Sequence, residues 1–90
     1  MSAIVLEPDL GIEAAPRLHA QLAPALSAKK QVALDAAAVS RLHGASMQVL
    51  VAFVRARGAA GRKTRIDDPS PALRDAARAL GLASTLGFDS

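Results

Sequence analysis

The sequence contains no cysteine, tryptophan or tyrosine, and its only aromatic residues are Phe53 and Phe88. Without cysteine the chain has neither disulfide bonds nor thiolate metal ligands. With so few rings, a pocket lined by aromatic side chains is not expected. The longest apolar run, residues 47–54, is interrupted by Gln48 and is far shorter than the ~20 residues that cross a bilayer. We therefore expect no membrane insertion, and because the N-terminus does not resemble a signal peptide, we expect a cytoplasmic protein.

A chain of 90 residues is expected to form one domain, spanning residues 1–90, around one hydrophobic core. Half of the residues are apolar, and most of these are alanine, leucine and valine. The core is therefore predicted to consist of small aliphatic side chains in layers of helix on sheet.

The net charge of +3 raises the question of nucleic-acid binding. Many of the cations fall between Arg41 and Arg65, including Arg55, Arg57 and Lys63. They are spread over helix, turn and strand, and no aromatic residue is interleaved with them to stack on bases. We expect a solvated basic face that serves solubility, and no nucleic-acid partner.

Hydrophobic periodicity predicts strands alternating with helices. The predicted strands are residues 3–6, 10–12, 31–34 and 64–67, and the predicted helices begin near residues 13, 43–46 and 70. The order β(β)αβαβα predicts a single-domain α/β fold with a mainly parallel or mixed sheet of four to five strands and crossover helices.

Local signals refine the helix ends. Pro16 fits a first helical turn, whereas Pro24 is expected to end the first helix near residue 23. Ser70 followed by Pro71 is a typical helix start, and Gly81 is typical of a helix C-terminus. We expect the last helix to bury a stripe made of Leu73, Ala76, Ala77 and Leu80.

The central segment resembles the STAS family, named for sulphate transporters and anti-sigma-factor antagonists. The family pattern is an apolar strand ending in Asp, a short crossover, and then Asp-Ser-small-Gly-Leu opening a helix. Residues 32–35 supply the strand, Val39 and Leu42 the crossover, and residues 43–50 the helix start. The later segment 69–82 resembles the last helix of the family. The resemblance implies a STAS-like fold and a function in binding protein partners.

The sequence departs from the family pattern at the helix start. Gly44 stands where anti-sigma antagonists carry the Ser or Thr that a kinase phosphorylates, and His43 replaces the preceding Asp. Ser46, which replaces the following Gly, is a displaced candidate phosphoacceptor, because a phosphate is favoured at a helix N-terminus. We favour the ordinary interpretation that the Ser46 hydroxyl caps the helix or bonds to nearby backbone.

This version of the loop is most similar to small stand-alone STAS proteins encoded beside bacterial chemotaxis genes. The resemblance implies a non-catalytic interaction module that binds a chemotaxis histidine kinase or a related component. The expected partner-binding residues are Arg41, His43, Gly44, Ala45, Ser46 and Gln48. Two alternatives remain open: an anti-sigma-factor antagonist-type switch phosphorylated on Ser46, and a cytoplasmic STAS subunit of a transporter.

No catalytic constellation is recognisable. His19 and His43 lie on different predicted elements and are expected to face solvent, since a catalytic histidine needs an orienting partner and a nucleophile. Asp35 is expected to accept hydrogen bonds from loop N–H groups. Asp67 and Asp68 supply too few oxygen ligands for a cation. We therefore expect no enzymatic activity, no cofactor and no metal site.

Overall fold

The computed structural model describes residues 3–88, which form five short strands and three α-helices. The strands are β1 (Ile4–Val5), β2 (Asp9–Leu10), β3 (Val32–Asp35), β4 (Arg41–Leu42) and β5 (Thr64–Asp67). The helices are α1 (Ala15–Leu22), α2 (Gly44–Ala59) and α3 (Pro71–Ala79), and 3-10 turns at Ile12–Ala14 and Ala23–Ala25 flank α1.

All strand pairs are parallel. β3 lies between β1 and β5, with Leu34 opposite Ile4 on one side and opposite Ile66 on the other. β2 and β4 form a separate two-stranded pair. The predicted α/β class is confirmed. The details of the sheet were predicted wrongly, because the strands form sheets of three and two rather than one sheet of four to five. β4 was assigned to the crossover, and the second strand covers residues 9–10 rather than 10–12.

One face of the three-stranded sheet carries the hydrophobic core. Val32 and Leu34 are buried on this face, whereas Ala33 and Asp35 of the same strand are only partly covered, as the alternation of side chains along a strand requires. The core is aliphatic apart from Phe53 and Phe88, as predicted. Within residues 3–88 no helix is both long and apolar enough to cross a bilayer.

Most of the predicted helix ends are confirmed. α1 stops at Leu22 and passes into the 3-10 turn that contains Pro24, because a proline inside a helix removes a backbone hydrogen bond. The Ser70 hydroxyl accepts a hydrogen bond from the Leu73 amide (3.2 Å) at the start of α3. Gly81, with φ of 70°, ends that helix, and residue 82 donates back to the Ala77 carbonyl (2.7 Å).

Two side chains are not where the sequence predicted them. Leu80, assigned to the buried stripe of α3, is 55 % exposed, because it is the C-cap of a helix that has already ended at Ala79. Arg57, assigned to a solvated basic face, has no exposed surface. Burying a guanidinium costs free energy unless its N–H groups are hydrogen-bonded.

Candidate protein-interaction surface

The start of α2 is held by His43 rather than by a serine. His43 has extended backbone geometry at the N-cap, and its Nδ1 accepts a hydrogen bond from the Ala45 amide (3.0 Å). One of the N–H groups that have no partner inside the helix is thereby satisfied. The expectation that Ser46 caps α2 is therefore wrong, because the cap lies three residues earlier in the chain.

Ser46 faces the interior. Its side chain has no exposed surface, and its Oγ donates to the Gly11 carbonyl (3.2 Å), which fixes the first turn of α2 against the loop after β2. This contact spans 35 positions of the chain, so the hydroxyl serves tertiary packing rather than local capping. A kinase reaches this oxygen only if the first turn of α2 moves away from that loop.

Arg41 lies beside the same turn at the outer edge of the small β2–β4 pair. Its guanidinium is 3.7 Å from the Asp9 carboxylate, and both side chains are mostly exposed. An exposed ion pair at this distance contributes little to stability. The Arg41 side chain is therefore able to exchange Asp9 for an acidic group of a partner at small cost.

Gly44, Ala45 and Gln48 present the outer side of the first turns of α2. Gly44 and Gln48 are exposed and Ala45 is partly exposed. A Cβ atom added to Gly44 has no heavy atom within 4 Å, and the backbone φ of Gly44 is not positive. Neither internal packing nor backbone conformation thus demands glycine at this position.

The structure places five of the six predicted partner-binding residues at the surface and one in the interior. We use the name α2 entry surface for the exposed set, which consists of Arg41, His43, Gly44, Ala45 and Gln48. Ser46 supports this surface from below.

Sequence reasoning missed an apolar groove between α1 and α2. The groove has a volume of about 430 Å³. Its lining residues are His19, Leu22, Ala23, Leu26, Gln48, Val49, Ala52, Phe53 and Ala56. The sequence did contain a signal for this groove. Ala45, Ala52 and Ala56 recur at helical spacing on α2, beside its larger apolar residues.

Arg57 joins three segments at the C-terminal end of α2. Its guanidinium carries six hydrogen bonds of 2.8–3.4 Å and no carboxylate partner. The acceptors are the carbonyls of Ala25, Leu26, Ala28, Lys30 and Lys63 and the hydroxyl of Thr64. Burial lowers the pKa of Arg57, and the nearby positive charge of Arg62 lowers this pKa further. The side chain is covered by surface loops, which it ties to the helix.

The other polar candidates have ordinary structural roles. Asp35 Oδ1 accepts from the Ala37 amide (3.0 Å), which confirms its predicted role in the crossover. Asp67 binds Arg65 through both carboxylate oxygens (2.6 and 3.1 Å), and this pairing raises the pKa of Arg65. In the part of the chain that the structure describes, no three His, Cys, Asp or Glu side chains are grouped as a metal site. His19 and His43 are exposed on separate elements, as predicted.

A family model described as "Mlab, STAS domain" matches residues 2–87. No curated protein matches the chain significantly.

Proposed function

The chain belongs to the STAS family, and from this premise we propose that it is a non-catalytic protein-interaction module of bacterial signalling. Its partner is a chemotaxis histidine kinase or a related component of the cytoplasm. The chain docks on this partner through the α2 entry surface. The family supports a protein-binding function, and the identity of the partner follows from the resemblance of residues 43–50 to stand-alone chemotaxis STAS proteins.

One observation carries the proposal: the outer side of the first turn of α2 presents the small residues Gly44 and Ala45, and the fold does not require glycine at position 44. Nothing lies within 4 Å of a Cβ placed on Gly44, so a larger residue would fit the isolated protein there. A small residue at an unconstrained surface position suits the close approach of a partner backbone. Small residues at the centre of an interface leave room for the large side chains of a partner, which carry most of the binding free energy in many interfaces.

The flanking side chains supply polar contacts at the edge of the same surface. Arg41 has a fork of donors suited to a partner carboxylate. Gln48 projects from the next turn of the helix with both a donor and an acceptor. A partner that covers Gly44 and Ala45 would thus meet apolar contact at the centre and hydrogen bonds at the rim.

The test is a titration of the full chain against the purified chemotaxis histidine kinase of the source organism. Ala45→Arg places a long charged side chain on the α2 entry surface, and we expect it to weaken binding at least about tenfold. Since Ala45 is partly exposed, the thermal midpoint should stay close to that of the parent protein. Ala79→Arg, on the exposed end of α3, is the matched control and should bind normally.

Other results would redirect the proposal. No binding to the histidine kinase, or binding that Ala45→Arg leaves unchanged, contradicts it. Binding to an anti-sigma kinase, with a phosphate added to Ser46 in an intact-mass measurement, would establish the switch alternative and would require the first turn of α2 to open. Binding to a transport ATPase instead would establish the transporter alternative.

A further inference from the structure

The acidic and basic residues are separated along the chain. Residues 14–66 contain nine of the eleven lysines and arginines but only one of the eight acids, Asp35. Both long walls of the α1–α2 groove belong to this segment. No acidic residue lines the groove, and α1 and α2 contain none. The surface formed by these two helices therefore carries no acidic side chain and is apolar at its centre.

The cations concentrate at the C-terminal end of α2, and we name them the cationic end. The set consists of Lys29, Lys30, Arg55, Arg62 and Lys63, none of which forms an ion pair within residues 3–88. The carbonyls of Lys30 and Lys63 both accept from the Arg57 guanidinium (3.0 and 2.8 Å). Arg57 thus holds the loop that contains Lys30 close to the loop that contains Lys63.

The groove opens beside the cationic end. Arg57 also donates to the carbonyl of Leu26 (3.4 Å), and the Leu26 side chain forms part of the groove wall. Leu26 is 42 % exposed, while Leu22 and Phe53 close the floor of the groove with almost no exposed surface. Ala52 and Ala56 are exposed on the opposite wall. The result is an open apolar channel with unpaired positive charges at one end.

We infer that this groove binds an amphipathic helix of a partner protein, with apolar side chains in the groove and acidic side chains facing the cationic end. Apolar residues spaced i, i+3 or i+4, and i+7 on such a helix match a groove between two helices. Unpaired lysines and arginines favour carboxylates on the same helix, because complementary charge steers and orients binding. The inference rests on the proposed protein-binding function but assigns a second surface, which shares only Gln48 with the α2 entry surface.

Other occupants fit the observations less well. A second copy of this chain, if it bound through the same two helices, would offer no acidic residue to meet the cationic end. Single-stranded nucleic acid would need several aromatic stacking platforms, and the one phenylalanine among the groove-lining residues, Phe53, is 5 % exposed. An anionic bilayer would reach the cationic end but would not enter a concave groove.

Two synthetic peptides of about 16 residues, each spanning about 24 Å as a helix, provide the probe. Both carry leucines at i, i+3, i+4 and i+7 and a covalent helix staple, one with glutamates at the remaining positions and the other with lysines. We expect the glutamate peptide to bind at least about tenfold more tightly than the lysine peptide. Its affinity should fall as salt screens the charges. Amide chemical shifts should change at Leu22, Leu26, Ala52 and Ala56.

Ala52→Glu tests the site, because Ala52 is exposed and glutamate is a good helix former, so the variant should fold. We expect Ala52→Glu to lower the affinity for the glutamate peptide at least about tenfold. Ala79→Glu, which makes the same change of charge on α3, should leave this affinity unchanged. Ala56→Glu is a second groove variant and should repeat the loss. Equal binding of both peptides, shift changes outside the groove, or unchanged affinity in both groove variants would overturn the inference.

Self-association in sedimentation that Ala52→Glu abolishes, or binding to anionic phosphatidylserine vesicles without peptide binding, would also overturn it. The test is separable from that of the proposed function. If Ala45→Arg removes kinase binding and the glutamate peptide does not bind, the proposed function stands and the groove inference fails. If the peptide binds in the groove and Ala45→Arg leaves kinase binding unchanged, the groove inference stands and the proposed docking through the α2 entry surface fails.

Discussion

Replacing Arg57 by methionine removes a buried guanidinium but keeps a long, unbranched side chain in its place. The substitution deletes six hydrogen bonds and leaves five carbonyl oxygens without the donor that now satisfies them. Hydrogen bonds from a charged donor are each worth roughly 1.5–3 kcal/mol. Burying the charge itself costs several kcal/mol, which offsets a large part of that sum. We expect a net loss of about 3–5 kcal/mol in the free energy of unfolding.

That loss is large for this protein. Domains of this size are stable by roughly 5–13 kcal/mol. Since 1 kcal/mol shifts the midpoint of a domain of up to 100 residues by about 4–8 °C, the thermal midpoint of Arg57→Met should fall by more than about 10 °C. Several of the lost bonds tie residues 25–30 to α2, so the groove wall at Leu26 should loosen as well.

The assay is urea denaturation followed by far-UV circular dichroism, because a protein without Trp or Tyr gives no useful intrinsic fluorescence change. Arg55→Met is the matched control: Arg55 lies two positions earlier in the same helix and is exposed, so its loss should cost no more than about 0.5 kcal/mol. Arg57→Lys keeps the positive charge but has fewer donors in a different geometry. Its loss in the free energy of unfolding should therefore lie between those of Arg57→Met and Arg55→Met. A loss below about 1 kcal/mol for Arg57→Met would refute the reasoning.

Two further predictions concern the start of α2. His43→Asp supplies a stronger N-cap acceptor and a negative charge near the positive end of the helix dipole, so unfolding should require about 0.5–1 kcal/mol more; a lower urea midpoint would contradict this. Gly44→Ala should also stabilise the fold by about 0.5 kcal/mol, since alanine is the better helix former and its Cβ meets no atom within 4 Å. The same variant should weaken kinase binding if a partner approaches there, and paired urea and titration measurements check both effects.

The parts of the fold that sequence analysis predicted are those set by local chemistry. Pro24 ends α1 and Ser70 caps α3 because each effect operates within a few residues of the chain. The strand of residues 64–67 was also predicted at its observed bounds from alternation alone. β4 was missed because a two-residue strand has no periodicity to detect, and only its pairing with β2 defines it.

The wrong predictions at the candidate site also arose because contacts between distant parts of the chain were not visible in the sequence. Ser46 is buried by its bond to the Gly11 carbonyl, and Arg57 by carbonyls up to 32 positions away. Residue type alone assigns an arginine to the surface and a serine to a cap, which is the usual outcome for both. Only the tertiary structure shows that these two polar side chains fasten the ends of α2.

The two ends of α2 therefore differ in the contacts that fix them and in the residues that they expose to solvent. At the N-terminal end, Ser46 anchors the inner side of the first turn, and on the outer side packing does not demand the small size of Gly44. At the other end, the acceptors of Arg57 are five carbonyl oxygens and the Thr64 hydroxyl, and none of them is a carboxylate. Within residues 3–88 the lysines of those loops form no ion pair. A helix fixed at both ends by buried polar contacts presents its outer side as a rigid surface, and binding to a rigid surface loses little entropy to ordering.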